Sequence, residues 1–321
     1  MGLALVAACG GKKDGGAGSG STGSASGPGS GSGSATAQPA GPKLKVAVSI
    51  FPLYDITRRI AGDRAEVLLI LPPGKSEHGY DPTPQEIAKL DGAKLGVAVG
   101  LDMDPWAEQV MKSAGDPKVL RVGDKVKTMP IDTKPIEDES APKDPDDHDP
   151  EVGAADPHVW LDPDRMVTIA QAIAGELTAI DAAGKDTYEK NLAAVVASLK
   201  DLDGKLAARS KAWTKHTVVT FHGALAYYAK RYGVRIGAVV EPIAGREPTA
   251  AYIAEVVEAI KKNKAAALFT EPQFDKAPGE MIAKEAGIKL GELDPVGGVT
   301  GRDTYETLLT WNTDQLEAYL K

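Results

Sequence analysis

The chain has 321 residues and sets 37 Lys and Arg against 45 Asp and Glu, a formal net charge of -8. That length admits one large or two medium domains, and the acidic balance excludes a global attraction to nucleic acid or to an anionic membrane surface. A single cysteine excludes an intrachain disulfide and every cysteine-rich metal module, so any metal site must be built from Asp, Glu and the 5 His.

The apolar run from Leu3 to Ala8 ends at Cys9 and gives way at once to Gly and Lys. A spanning helix needs roughly 20 apolar residues, so this run cannot cross a bilayer. Ala7, Ala8 and Cys9 resemble the lipobox of a bacterial lipoprotein, whose cysteine is acylated after cleavage. The basic region that would precede it is missing, which points to a start codon placed too far downstream; a buried cysteine or an incidental apolar start is the alternative. Residues 1–9 are thus expected to be a partial signal. Residues 10–42, almost wholly Gly, Ser, Ala, Thr and Pro, have nothing to bury and are expected to form a disordered tether, with folded protein from Lys43.

Strands are expected at Lys45–Ile50, Val67–Leu71 and Leu95–Val99, alternating with helices at Pro52–Ala61, Pro84–Leu90 and Trp106–Ala114. Strands separated by helices imply a parallel α/β layer, here an N-terminal lobe over 43–162. From Asp164 onward the period becomes helical, with Met166, Ile169, Ile173 and Leu177 on one face and, after Gly184, Tyr188, Leu192, Val195, Leu199 and Leu206 on the next. This connector, 163–213, includes a stretch from Thr187 to Trp213 long enough to run as a spine beside two lobes. A coiled coil is the alternative, and the apolar positions do not hold a heptad. Alternation then resumes at Thr217–Phe221, Ile236–Val240, Ala266–Thr270 and Ile288–Leu293, interleaved with helices at Ala224–Tyr232, Thr249–Asn263, Ala277–Ala286 and Tyr305–Tyr319. The fold class is therefore α/β: two lobes, the second over 214–321, joined by a long spine helix, with the carboxyl ends of both strand sets facing a cleft.

His78, His158 and His222 occupy loops at element ends, where a scaffold presents functional groups, whereas His216 begins a strand and His148 lies in an acidic loop. Asp294, in ELDPVGG, is a fourth candidate ligand at a strand end. Three imidazoles and one carboxylate supply the four donors of a tetrahedral Zn(II) site. Taken singly, each histidine also fits a cap, a hydrogen-bonded loop residue or a surface group.

The segments HGYDPTP, DPHVWLDP, VVTFHGALAYYAKRYG and LDPVGG, in this order and spacing, resemble those of the periplasmic zinc and manganese solute-binding proteins of ABC importers, over about residues 44–321. The resemblance implies two α/β lobes on a single long helix and a metal buried between them, with His78, His158, His222 and Asp294 as ligands. It also implies a cognate permease and, through it, an ATPase as partners, and a monomer on the periplasmic side of the cell envelope, where the lipobox reading anchors it by lipid at Cys9. A carboxylate commonly stands at the position of His222 in manganese members of that family, so Zn(II) is the expected cargo and Mn(II) the alternative; nitrogen-rich sites also take Cu(II) or Ni(II).

Asp156 and Asp162 flank His158 and are candidates to orient its imidazole, although capping the next helix suits Asp162 better. Glu77 is either an alternative oxygen donor, a group that desolvates the cleft, or a solvated loop carboxylate. Trp160, Phe221 and Tyr80 are expected to dry the cleft. The stretch 132–156 carries ten Asp and Glu against two Lys, a composition that argues disorder. It holds only His148 where zinc-specific relatives carry a histidine-rich loop, and gathering of divalent cations or simple solubility are its readings. Two other function classes stay open: an envelope adhesin or docking lipoprotein with a structural metal, and a zinc hydrolase. HExxH, GxSxG and the P-loop are all absent, and a fourth protein ligand would close the coordination position that catalysis needs.

Overall fold

The computed structural model describes residues 43–131, 154–242 and 247–321. The expected lipobox at Cys9, the tether over 10–42 and, in the acidic loop, residues 132–153 with His148 lie outside the described residues.

Val46, Ala47 and Val48 of β1 (Leu44–Val48) are completely buried, the signature of a strand covered by helices on both faces. With β2 (Ala65–Leu69), β3 (Leu95–Ala98) and β4 (Lys118–Arg121) it forms a four-stranded parallel sheet in the order β2-β1-β3-β4. Val46 pairs with Val67 on one side and Leu95 on the other. The strand β4 goes beyond the sequence expectation, because Lys118 and Arg121 end it exposed and leave Leu120 as its one buried side chain. The helices of this lobe are α1 (Phe51–Ala61), α2 (Pro84–Lys89) and α3 (Pro105–Ser113). At α2, Thr83 and Glu86 close a reciprocal capping box, which fixes where the preceding loop ends.

Two long helices follow: α4 (Pro163–Ile180), capped by Asp162, and α5 (Lys185–Ser210). The 26 residues of α5 span about 39 Å at about 1.5 Å per residue. Near its start, Asn191 donates to the Ile60 carbonyl of α1. Near its end, Arg209 pairs with Glu317 in the C-terminal lobe. Its face of Tyr188, Val195, Leu199 and Leu206 is buried, so the helix runs as a spine along both lobes.

The C-terminal lobe repeats the plan of the first. The parallel order is β6-β5-β7-β8, from β5 (Thr217–Thr220), β6 (Arg235–Val239), β7 (Ala267–Thr270) and β8 (Lys289–Glu292). Around it pack α6 (Ala226–Tyr232), α7 (Ala250–Asn263), α8 (Ala277–Ala286) and α9 (Tyr305–Leu320).

A single apolar core runs from Val46 and Leu53 through Trp160, Ile169 and Leu199 to Phe269 and Leu316, so the two sheets are not separately cored. Smaller clusters lie on the outer faces under α3 and under α7 and α8. Polar bonds join the lobes as well. The buried Asp55 of α1 accepts from the Tyr305 amide at the start of α9 (3.0 Å), Arg59 pairs with Glu306 (2.9 Å), and the Trp160 indole donates to the Pro295 carbonyl (2.7 Å). The loops at the carboxyl ends of the strands are where open α/β sheets bind their ligands.

Candidate metal centre

Each group of the centre leaves a strand end or a loop beside one. Glu77 and His78 lie between β2 and the Thr83 cap, His158 opens the short turn Val159–Leu161, and His222 follows β5 by two residues. Four donor atoms, one each from Glu77, His78, His158 and His222, lie within 4.8 Å of one another. His222 Nε2 is 3.2 Å from His78 Nε2 and 3.3 Å from His158 Nε2, and it is 4.0 Å from Glu77 Oε1. A tetrahedron with metal–nitrogen bonds of about 2.0–2.1 Å has edges of about 3.3 Å, so two of these separations already match one.

The other nitrogen of two rings is fixed. Asp156 Oδ1 accepts from His158 Nδ1 at 2.9 Å and from the His158 amide at 2.9 Å. Glu271 Oε1 lies 2.6 Å from His222 Nδ1. A carboxylate can only accept, so each bond makes Nδ1 the donor and leaves the Nε2 lone pair pointing into the cluster. Two converging lone pairs, with His78 Nε2 beside them, repel one another unless a cation or a proton sits among them.

His158, His222 and Glu77 are buried and His78 is half-buried. Desolvation, aided by the neighbouring His158 and His222, lowers His78 to about 2. Desolvation also lowers His222 to about 4, against the pull of the Glu77 charge. His158 moves the other way: burial acts downward, but the bond to Asp156 and the charges of Asp156, Glu77 and Glu271 outweigh it and raise its pKa. Burial raises Glu77 and holds Glu271 well above the usual carboxylate range. Among the described residues, neither carboxylate oxygen of Glu77 has a hydrogen-bond partner from another residue. A buried carboxylate without donors is costly, and a divalent cation is the group that satisfies it. The Glu77 backbone is anchored independently, since the Trp106 indole donates to its carbonyl at 3.0 Å.

Among the described residues, the cluster holds three of the four residues singled out in the sequence, and the fourth, Asp294, is not in it. Asp294 is buried at the end of β8, but Oδ1 accepts from Gln273 Nε2 (2.9 Å) and from the amides of Val296 and Gly297 (3.0 Å each), and Oδ2 faces Arg302 Nη1 at 3.0 Å. Gly297 holds φ 75°, a left-handed turn that aims its amide back at the carboxylate. With Oδ1 engaged by three donors and Oδ2 facing Arg302 Nη1 in an ion pair that is not a hydrogen bond, Asp294 is not part of the four-residue cluster among the described residues, and Glu77 takes the carboxylate position within it.

Asp156 orients His158, while Asp162 caps α4 by accepting from the Asp164 amide (2.9 Å) and pairs with Arg231 (3.2 Å). Trp160 packs against His158 with ring centroids 5.2 Å apart, and Phe221 is buried. Tyr80 instead sits half-buried against Trp106 and donates to Glu86 (2.9 Å), bracing the Glu77 loop. Two further groups lie beyond the sequence reading: Phe274, edge-on to His222 at 5.5 Å, and Glu271, whose signal was a carboxylate directly following β7 in LFTEP.

The same architecture recurs in solved proteins. A zinc-bound ZnuA deletion mutant superposes with a TM-score of 0.74 at 26% identity, over 87% of this chain and 99% of that one. FpvC of Pseudomonas aeruginosa with Mn2+ gives 0.72 at 26%, over 87% and 98%. Among curated relatives, the zinc-binding lipoprotein AdcA of Streptococcus pneumoniae (strain ATCC BAA-255 / R6) is 33% identical over 271 residues, 83% of this chain and 52% of AdcA, so the chain spans about half that relative's length. The metal ABC transporter substrate-binding lipoprotein FimA of Streptococcus parasanguinis is 32% identical over 288 residues, 86% of this chain and 89% of FimA. The family model described as "Zinc-uptake complex component A periplasmic" matches residues 46–319, and with two parallel lobes on one spine and three imidazoles converging between them the chain belongs to this ZnuA family of solute-binding proteins.

Proposed function

We propose that the protein captures Zn(II) between its lobes and hands it to the permease of an ABC importer. The observation that carries this reading is the convergence of three Nε2 atoms on the buried, donor-free carboxylate of Glu77. His78, His158 and His222 would displace most of the ion's water, with Glu77 as fourth donor in place of Asp294. Three imidazoles favour Zn(II) over Mn(II), whose preference is for carboxylate, carbonyl and water oxygens. A site with four protein donors binds and releases without turnover, which separates it from a hydrolase. Support for a place in the cell envelope, with lipid on Cys9, comes from relatives named as lipoproteins and from the run Ala7-Ala8-Cys9.

The test is competitive titration of the metal-stripped full chain with Zn(II) and Mn(II), beside His222→Ala. One tight zinc equivalent, weaker manganese binding and loss of the zinc equivalent in the variant are expected. No zinc stoichiometry, or a site indifferent to His222, overturns the reading. Apo protein that stays folded after metal removal separates reversible capture from a structural metal.

A further inference from the structure

Of the buried carboxylates near the site, Glu77 and Asp294 have opposite surroundings. Among the described residues, Glu77 has no donor from any other residue. Asp294 has three donors on Oδ1 and a guanidinium against Oδ2. Its backbone is held too, since Asn312 of α9 accepts from its amide (2.8 Å) and donates to its carbonyl (2.7 Å).

Among the described residues Arg302 Nη1 makes no hydrogen bond, and its nearest charged group is Asp294 Oδ2, an ion pair at 3.0 Å. Its backbone closes the turn after β8, with the Arg302 amide on the Val299 carbonyl and the Gly298 amide on the Arg302 carbonyl, both at 2.8 Å. From that turn the side chain runs inward to 16% exposure, and its guanidinium lies over the Trp311 ring at 4.2 Å. Glu292 stands farther off at 3.9 Å, itself paired with Lys276. The ring fixes the plane of the guanidinium, and the fixed plane holds one nitrogen against Asp294.

We propose that Arg302 is a positioning residue for metal specificity: clamped on Trp311, it keeps Asp294 out of the coordination shell and so holds the site to three imidazoles and the single carboxylate of Glu77. The inference rests on the zinc-capture reading. Its physical basis is competition: a carboxylate oxygen paired with a guanidinium cannot also face a cation without giving up that pair. Freed of Arg302, Asp294 becomes a second carboxylate beside the ion. Extra oxygen donors raise the coordination number and favour Mn(II) relative to Zn(II).

The experiment uses Co(II) as a spectroscopic probe together with Zn(II) and Mn(II) titrations of the metal-stripped full chain. In the unaltered protein Co(II) is expected to show the intense visible absorption of four-coordination, and Asp294→Asn leaves that spectrum and the zinc affinity unchanged. Arg302→Met is expected to weaken the visible absorption as the coordination number rises, and to tighten Mn(II) by about tenfold relative to Zn(II). Arg302→Lys, which keeps the charge, restores the original spectrum in large part. The double variant Arg302→Met with Asp294→Asn returns to the original spectrum and selectivity.

Two results overturn the proposal: an Arg302→Met protein with unchanged Co(II) spectrum and selectivity, or loss of zinc binding in Asp294→Asn, which would make Asp294 a ligand despite Arg302. The second reads out even if Arg302→Met fails to fold. An unaltered chain that binds no zinc overturns the capture reading itself, and this inference with it.

Discussion

Glu271 Oε1 lies 2.6 Å from Nδ1 of His222, across the end of the C-terminal sheet from one strand terminus to the next. The acceptor fixes the tautomer, and its charge makes the opposite nitrogen a stronger donor to metal. Glu271→Gln keeps an oxygen at the same place and removes the charge. The expected result is a zinc affinity lower by about 10–100-fold, the range for a lost partner of a metal-bound histidine. Apo stability should hold or rise, because the variant removes a buried carboxyl whose ionised form burial disfavours. Asp156→Asn makes the parallel change at His158, and chelator competition measures both. An unchanged affinity in both variants would mean that neither carboxylate tunes its ring.

Proton release on metal binding should be small, because only part of the site is protonated beforehand. His78, lowered to about 2, and His222, lowered to about 4, are already neutral at pH 6 and release nothing. His158 and Glu77 are raised, and each must lose its proton before it can donate to a cation. Glu271, bonded to His222, is raised as well, so at most about three protons per zinc are expected near pH 6, falling as the pH climbs above the raised values. Titration calorimetry in buffers of different ionisation enthalpy counts them directly. Four or more would show that His78 or His222 is charged in the free protein.

The same shifts set the acid stability of the apo protein, with opposing signs. For His78 and His222 the folded pKa lies below the unfolded value of about 6.5, so their contribution is intact above pH 6.5 and is lost as the pH falls toward about 4 and then about 2. His158, raised when folded, gains its stability between its folded value and pH 6.5 and changes nothing further below that. Glu77 and Glu271, also raised, add stability as the pH falls through their folded values and oppose the loss from the two rings. His222→Gln, which removes one depressed imidazole, should therefore lose less stability between pH 6.5 and 4 than the unaltered apo protein. Denaturant melts at successive pH values test this; identical profiles for the two proteins would contradict the depression of His222.

The lobes, the spine and three of the four clustered residues were legible in the sequence because each rests on a local pattern. β-Branched runs mark β1 and β5, helical periodicity from Tyr188 to Leu206 marks α5, and the histidines stand alone among strand-end loops. What the sequence could not show is which of two carboxylates is left without partners. That depends on Gln273, Arg302 and the amides of Val296 and Gly297 meeting at Asp294, contacts made between separate turns of the C-terminal lobe. Glu271 escaped for the same reason, since its value lies in a pairing 49 residues away in the chain. The strand β4 escaped because edge position leaves two of its four side chains, Lys118 and Arg121, exposed and charged.

Ties between α1 and α9 set the two lobes at a fixed spacing. Asp55 is wholly buried in α1, where its Oδ2 accepts from the Tyr305 amide of α9 at 3.0 Å and its carboxylate pairs with Arg58 (2.6 Å) and Arg59 (3.3 Å). Arg59 also reaches Glu306, which in turn accepts from Ser198 of the spine at 2.5 Å. Removing the carboxylate leaves a buried amide without an acceptor and two guanidinium groups without their shared partner. Asp55→Ala should therefore cost about 3 kcal/mol of stability, as for other broken buried pairs. Because the same bond spans the lobes, zinc affinity should fall with it even at temperatures where the variant is fully folded. Asp55→Asn, which keeps an acceptor oxygen for Tyr305, should recover most of the affinity but less of the stability. Denaturant unfolding beside zinc titration separates the two effects: a destabilised Asp55→Ala with unaltered affinity would show that the donors in the cleft hold their spacing without help from the lobe interface.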